Sequence, residues 1–281
     1  MSIRIDLDKC TGCGNCVSVC PFGLIEIVDE KARISEGCTF CGVCREVCIY
    51  EAILIEVPSE TVAVNDSHRG VWVFAEQRNG RLRSVSYELL SRGRELADTL
   101  ETELCAACFG QKIGEIEQLI AYGADKVYLV DDPALAGNQE DLLTGELARL
   151  IQEHKPEIVL AGATSLGRSF IPRVAAILKT GLTADCTELG VDTGKRLLLQ
   201  TRPAFGGNIM ATITCETRRP QMATVRPRVF KKKTLDKTRK GQIIKVDFNG
   251  ESVTSRTRLI SFVEEITDMV KLEDADVIVS G

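Results

Sequence analysis

The sequence has no apolar run long enough to span a membrane, and no apolar, cleavable leader, since its opening MSIRIDLDK reads as a short strand. A cytoplasmic protein with reduced thiols is therefore expected, and a disulfide scaffold is not. Histidine is scarce: the only two, His68 and His154, fall on a linker and at a helix end, where solvated side chains are expected. No Ser/His/Asp arrangement or paired-carboxylate site can be assembled, so the chain is not expected to be a catalyst by itself. There is no excess of positive charge either. The net charge is −5, and all of the excess lies in residues 1–60, which hold 10 acidic against 5 basic residues, while residues 61–281 hold 30 of each. Nucleic acid is an improbable partner for such a segment, and a partner with a basic face suits it better.

Cysteine, in contrast, is abundant. CTGCGNCVSVCP starts at Cys10, and 28 residues later CTFCGVCREVCI repeats it. Each run places cysteines at i, i+3, i+6 and i+10, three on a tight loop and the fourth expected at the start of a short helix. In the two-cluster bacterial pattern the fourth cysteine of each run ligates the other run's cluster. Two [4Fe-4S] clusters are thus expected, one on Cys10, Cys13, Cys16 and Cys48, the other on Cys38, Cys41, Cys44 and Cys20. Glycines 12, 14 and 42 suit loops that turn N–H groups toward sulfur. Pro21 follows the first run as the pattern expects; Ile49 takes that place in the second, which weakens a helix-start signal but removes no ligand. Paired zinc sites usually show two CxxC pairs well apart, unlike these runs. A segment of this size is too small for a good core unaided, so metal and fold should be lost together.

After the turn-rich VPSETVAVNDSHRG the pattern changes. VWVFAE reads as a buried parallel strand, and the next helix carries Val85, Leu89, Leu96 and Leu100 on one stripe. Strands ELCAACF, KVYLVDD and EIVLAG then alternate with helices IGEIEQLIAYG, QEDLLTGELARLIQEH and GRSFIPRVAAIL. This alternation predicts a parallel sheet covered on both faces. RLLLQT, NIMATITC, QMATV and QIIKVDF are read as further strands that extend the same sheet. ADVIVSG at the end reads as a strand opening another βα unit, so a further α/β domain is expected to follow. The expected organisation is 1–60, a linker at 61–70, an α/β domain at 71–274, and 275–281 opening the next domain.

AGATSLGRSF lies where a strand hands over to a helix, so Ser165 and free N–H groups could receive a phosphate; a purely structural turn is as good a reading. It carries neither GxGxxG nor GK[ST]. In TRPAFGGNIMATI a glycine pair follows Phe205 beside Arg202, which suits close approach to something flat; a β-turn with a surface arginine is the blander reading. Cys105 and Cys108 form a CxxC inside a strand, so they point to opposite faces and read as core. Cys186 and Cys215 have no partner pattern. Residues 218–240 hold 10 basic residues and one acidic, a solvated face or a dock for an acidic partner.

GATSLGRSFIPRVAAILKTGLTADCTEL and TRPAFGGNIMATITCETRRPQMATVRP resemble the α subunit of electron transfer flavoproteins, and residues 1–60 resemble a two-cluster ferredoxin domain. The resemblance implies an α+β ferredoxin-like domain followed by a nucleotide-hydrolase-like α/β domain with a mostly parallel sheet. It implies pairing with a β subunit whose FAD is contacted through Arg202, Pro203, Phe205 and Gly206. The α subunit's own FAD would lie in a C-terminal domain starting just after VIVSG. The implied role is electron bifurcation or its reverse, linking NADH, soluble ferredoxin and an acyl-CoA dehydrogenase or enoyl-CoA reductase. The rival readings are an iron-sulfur redox sensor fused to a nucleotide-binding domain, and an assembly scaffold with structural clusters.

Overall fold

The computed structural model describes residues 2–38, 42–56, 67–204, 207, 209–250, 255–257, 259, 260, 277, 279 and 280. The chain divides into two units, Met1–Val62 and Ala63–Gly281, each with its own core.

The first unit is two short antiparallel strand pairs, of which only the second is a hairpin, and two single-turn helices. β1 (Ser2–Ile5) pairs antiparallel with β4 (Ile53–Glu56), and β2 (Ile25–Val28) with β3 (Lys31–Ile34). Between them lie α1 (Asn15–Val19) and α2 (Val43–Glu46). Helices this short are unstable alone, and Cys16, Ile25, Ala32, Cys44 and Ile53 supply most of the buried apolar contact. The 28-residue sequence repeat is also a backbone repeat. Gly14 and Gly42 cap the two helices in the left-handed region, at φ 79° and 82°, where a residue with a Cβ is strained. These turns start both helices before the third cysteine, so Cys20 and Cys48 lie at or just past the helix ends. The expected placement of the fourth cysteine at a helix start is corrected accordingly, and Pro21 belongs to the turn after α1.

The second unit is a seven-stranded sheet in the order β11-β15-β10-β5-β8-β9-β16, every pairing parallel. Its strands are β5 (Val71–Phe74), β8 (Leu104–Gly110), β9 (Lys126–Asp131), β10 (Ile158–Gly162), β11 (Leu182–Cys186), β15 (Gln221–Val225) and β16 (Gln242–Lys245). The small hairpin of β6 (Gln77–Arg78) and β7 (Arg81–Leu82) follows β5. Alternate residues of each central strand enter two different cores. Val71, Val73, Leu104, Ala106 and Cys108 face α3 (Ser84–Thr99) and α4 (Glu117–Ala121); Trp72, Phe74, Cys105, Ala107 and Phe109 face α5 (Glu140–His154) and α6 (Ser165–Leu178). The CxxC thus spans both cores, with both thiols buried and pushed up to about 12 by desolvation.

The later strands only partly join this sheet. β15 and β16 do, but β13 (Leu197–Ala204) and β14 (Ile209–Ile213) form a separate antiparallel sheet with β12 (Glu188–Asp192). Leu197 and Leu198 anchor it in the core, whereas β14 is exposed nearly throughout, which a strand inside a covered parallel sheet is not. His154 is exposed at the end of α5 as expected, and its ring also lies 4.5 Å from Tyr128 and 5.6 Å from Trp72, centre to centre. Among the described residues no helix is long and apolar enough to cross a membrane. The linker at 61–70 and the strand at 275–281 fall largely outside the described residues.

Candidate metal centres

The first unit holds two cavities, and cysteines ring both. Cys10, Cys13, Cys16 and Cys48 surround one, floored by Ile5, Ala32 and Ile53, with about 350 Å3 of atom-free space including its open mouth. Cys20, Cys38 and Cys44 surround the other, against Ile3, Leu24 and Ile34. Cys41 lies outside the described residues. The helices divide the ligands this way because each is a single turn. Cys16 sits in the first turn of α1, beside Cys10 and Cys13, and Cys20 leaves the far end toward the second run.

Backbone N–H groups point at sulfur in matching places. Leu24 donates to Cys20 Sγ and Ala52 to Cys48 Sγ, both at 3.4 Å and both four residues on. Ala32 donates to Cys10 Sγ at 3.3 Å. Such bonds favour thiolate over thiol, and the Leu24 amide holds the Cys20 thiol below its usual range. Burial pushes Cys16 the other way. Lys31 adds a cation, its Nζ donating to the Cys10 carbonyl at 2.5 Å. The spacing of the runs carried no sign of Lys31, which lies on β3 between them.

These cavities fit a cubane. The donors are all sulfur, the walls are apolar, and amides are aimed at the sulfurs that would carry charge. Among the described residues no three His, Cys, Asp or Glu side chains converge closely enough to hold a single metal ion.

The residues expected to meet a flavin lie elsewhere. Arg202 and Pro203 sit near the end of β13, opposite Ala211 and Met210 of β14. Phe205 and Gly206 are outside the described residues. Ile209, Met210 and Ile213 on the same hairpin are exposed at 54%, 55% and 40%.

Together, the fold and these cavities define a two-part chain: a small module with two cysteine-lined cavities that fit iron-sulfur cubanes, followed by a parallel α/β domain. Residues 2–49 match the 4Fe-4S dicluster domain, and residues 71–250 match the electron transfer flavoprotein domain. The chain belongs to the electron transfer flavoprotein family, as an α or FixB-like subunit bearing an iron-sulfur domain. It is 47% identical over 219 residues to the electron transfer flavoprotein subunit alpha of Thermoanaerobacterium thermosaccharolyticum, covering 78% of this chain and 66% of that one. The subunit alpha of Megasphaera elsdenii is 47% identical over 215 residues, 76% of this chain and 64% of the relative. An acryloyl-CoA reductase electron transfer subunit beta of Anaerotignum propionicum is 40% identical over 240 residues, 76% and 65% respectively. The chain thus spans just under two thirds of the length of these relatives.

Proposed function

We propose that this chain is the electron-transfer subunit of a flavin-based electron-bifurcating complex in the cytoplasm, linking NADH, soluble ferredoxin and an acyl-CoA dehydrogenase or enoyl-CoA reductase. Cys10, Cys13, Cys16 and Cys48 hold one [4Fe-4S] cluster; Cys20, Cys38, Cys41 and Cys44 hold the other. When bound, the clusters supply one-electron steps at potentials set by their surroundings. The chain's own part is to fix the sulfurs, aim the Ala32, Leu24 and Ala52 amides at them, and exclude water with Ile5, Ile53 and Ile34.

The observation that carries this reading is the sorting of the cysteines into two cavities, in a chain whose remaining length belongs to a flavoprotein family. Contact with a β subunit and its FAD is assigned to Arg202, Pro203, Phe205 and Gly206. The exposed Ile209 and Met210, on the strand paired with the one that carries Arg202 and Pro203, support it, since apolar side chains exposed on one hairpin suit a partner surface. The name of the acryloyl-CoA reductase relative supports an acyl-CoA or enoyl-CoA partner.

The test is anaerobic mixing of the chain with its β subunit and NADH. Bleaching of the cluster absorbance only when the flavin-loaded β subunit is present is the expected result. Clusters that NADH leaves oxidised in the mixture, or that it reduces equally well without the β subunit, would contradict the proposal.

A further inference from the structure

The fourth cysteines of the two runs, Cys20 and Cys48, each begin the same backbone turn. The Gly23 N–H donates to the Cys20 carbonyl at 3.2 Å, and the Glu51 N–H donates to the Cys48 carbonyl at 3.0 Å. The residue closing each turn lies in the left-handed region, Gly23 at φ 62° and Glu51 at φ 51°. A residue with a Cβ, such as Glu51, holds that conformation only where its surroundings fix it. One position later, the Leu24 and Ala52 amides return to the sulfurs that began the turns. Each turn is therefore pinned at both ends, and a side chain standing on it has a fixed place.

Both turns carry an aromatic residue, two positions past the cysteine. Phe22 lines the cavity of Cys20, Cys38 and Cys44 and is 56% exposed. Tyr50 lines the cavity of Cys10, Cys13, Cys16 and Cys48 and is 43% exposed. A residue that meets both a cavity and solvent stands at the cavity's rim. Phe22 and Tyr50 are 28 residues apart, the period of the cysteine runs, while the residues around them differ: Pro21 against Ile49, and Gly23 against Glu51. Neither aromatic belongs to the buried core of this unit, so core packing does not account for them.

Resting on the assignment of one cluster to each cavity, we propose that Phe22 and Tyr50 are a pair of lids, each closing the solvent side of one cluster against water and dioxygen. Reduction adds a negative charge inside a ring of four thiolates, and water at the rim would stabilise that charge. An apolar ring in the same place withholds the water, so it keeps the potential low. It also hinders a wasteful side reaction, in which one electron passes from the reduced cluster to dioxygen and gives superoxide, with no proton moved and no bond made to the protein. Both lids act by bulk and apolarity, so either aromatic serves in either place.

The experiment compares the full native chain with Phe22→Ala, Tyr50→Ala and Tyr50→Phe, all purified without oxygen. Iron and sulfide are measured first, then the bleaching of dithionite-reduced protein in air-saturated buffer, and finally both midpoints by a resonance-monitored reductive titration. All four proteins should hold the same iron. In each alanine variant one cluster should bleach about fivefold faster and shift about threefold toward its reduced form at a given potential, the two variants acting on different resonance signals. Tyr50→Phe should match the native chain in both respects. Native bleaching and midpoints in the alanine variants, one signal moved by both of them, Tyr50→Phe behaving like Tyr50→Ala, or iron lost from an alanine variant before air is admitted would each overturn the lids and leave the two clusters standing. A native chain that holds no iron would overturn the lids and the cluster assignment together.

Discussion

Alanine at Gly12 and at Gly14 should have different consequences, although both glycines sit on the first cysteine loop with φ of +69° and +79°. Forcing a Cβ into the left-handed region costs about 1–2 kcal/mol at either position. At Gly14 nothing lies within 4 Å of the added carbon, so that strain is the whole effect. At Gly12 the carbon would stand 2.3 Å from the Glu30 carbonyl oxygen and 2.8 Å from its carbonyl carbon. Glu30 belongs to the tight turn between β2 and β3, itself at φ 59°, so the backbone has little room to yield. Pushing that turn outward would draw Ala32 from Cys10 Sγ and Lys31 from the Cys10 carbonyl. Gly14→Ala should therefore keep its iron and lose about 1–2 kcal/mol in denaturant. Gly12→Ala should lose about half of its iron and sulfide, with one of two electron paramagnetic resonance signals gone after reduction. Equal iron content and equal stability in the two variants would refute this reasoning.

Lys31→Met removes a cation one hydrogen bond from Cys10. It should lower the midpoint potential of one cluster by on the order of 50 mV, roughly tenfold in equilibrium for one electron, and leave the other unchanged; a redox titration reads both. Glu157, buried to 3% and joined to Arg196 at 2.7 and 3.0 Å, braces the start of β10 against the start of β13. Glu157→Ala should cost the α/β domain about 3 kcal/mol by chemical denaturation, because Arg196, less than a third exposed, loses the carboxylate that balances its charge while its bond to the Leu100 carbonyl remains. Arg256 and then Arg173 hold the Asp141 carboxyl well below the usual carboxylate range. A lowered carboxyl stabilises the fold above its unfolded value near 3.9 and loses that contribution as the pH falls through the folded value. The difference in melting temperature between the native chain and Asp141→Asn should be flat above about pH 5 and shrink below about pH 4. A difference that persists undiminished at pH ~2 would contradict the assignment.

Periodicity made the α/β domain legible. VWVFAE, ELCAACF and EIVLAG are apolar on both faces, and such runs are produced when a strand is covered twice. It did not separate β13 and β14 from the main sheet. RLLLQT starts with buried leucines like any core strand, and its departure into an antiparallel hairpin depends on long-range pairing with β12. The position of Cys20 was misread because Pro21 suggested a helix start. Gly14, in the left-handed region, ends the loop and begins the helix earlier. His154 lay at a helix end as expected, but its ring contacts depend on Trp72 and Tyr128 from two other strands. The AGATSLGRSF turn is the start of α6, where Thr164 accepts the Gly167 N–H at 3.0 Å. Phe22 and Tyr50 had no visible signal in the cysteine spacing, because the turns that bring them to the cavity rims depend on backbone bonds to the fourth cysteines.

Eight cysteines are proposed to hold two iron-sulfur cubanes able to accept electrons. The most direct test is metal and acid-labile sulfide analysis of protein purified without oxygen, with resonance spectra recorded through a reductive titration. About eight iron and eight sulfide per chain, with two reducible signals, are predicted. A colourless protein containing zinc, or iron that accepts no electron at any accessible potential, would contradict the account.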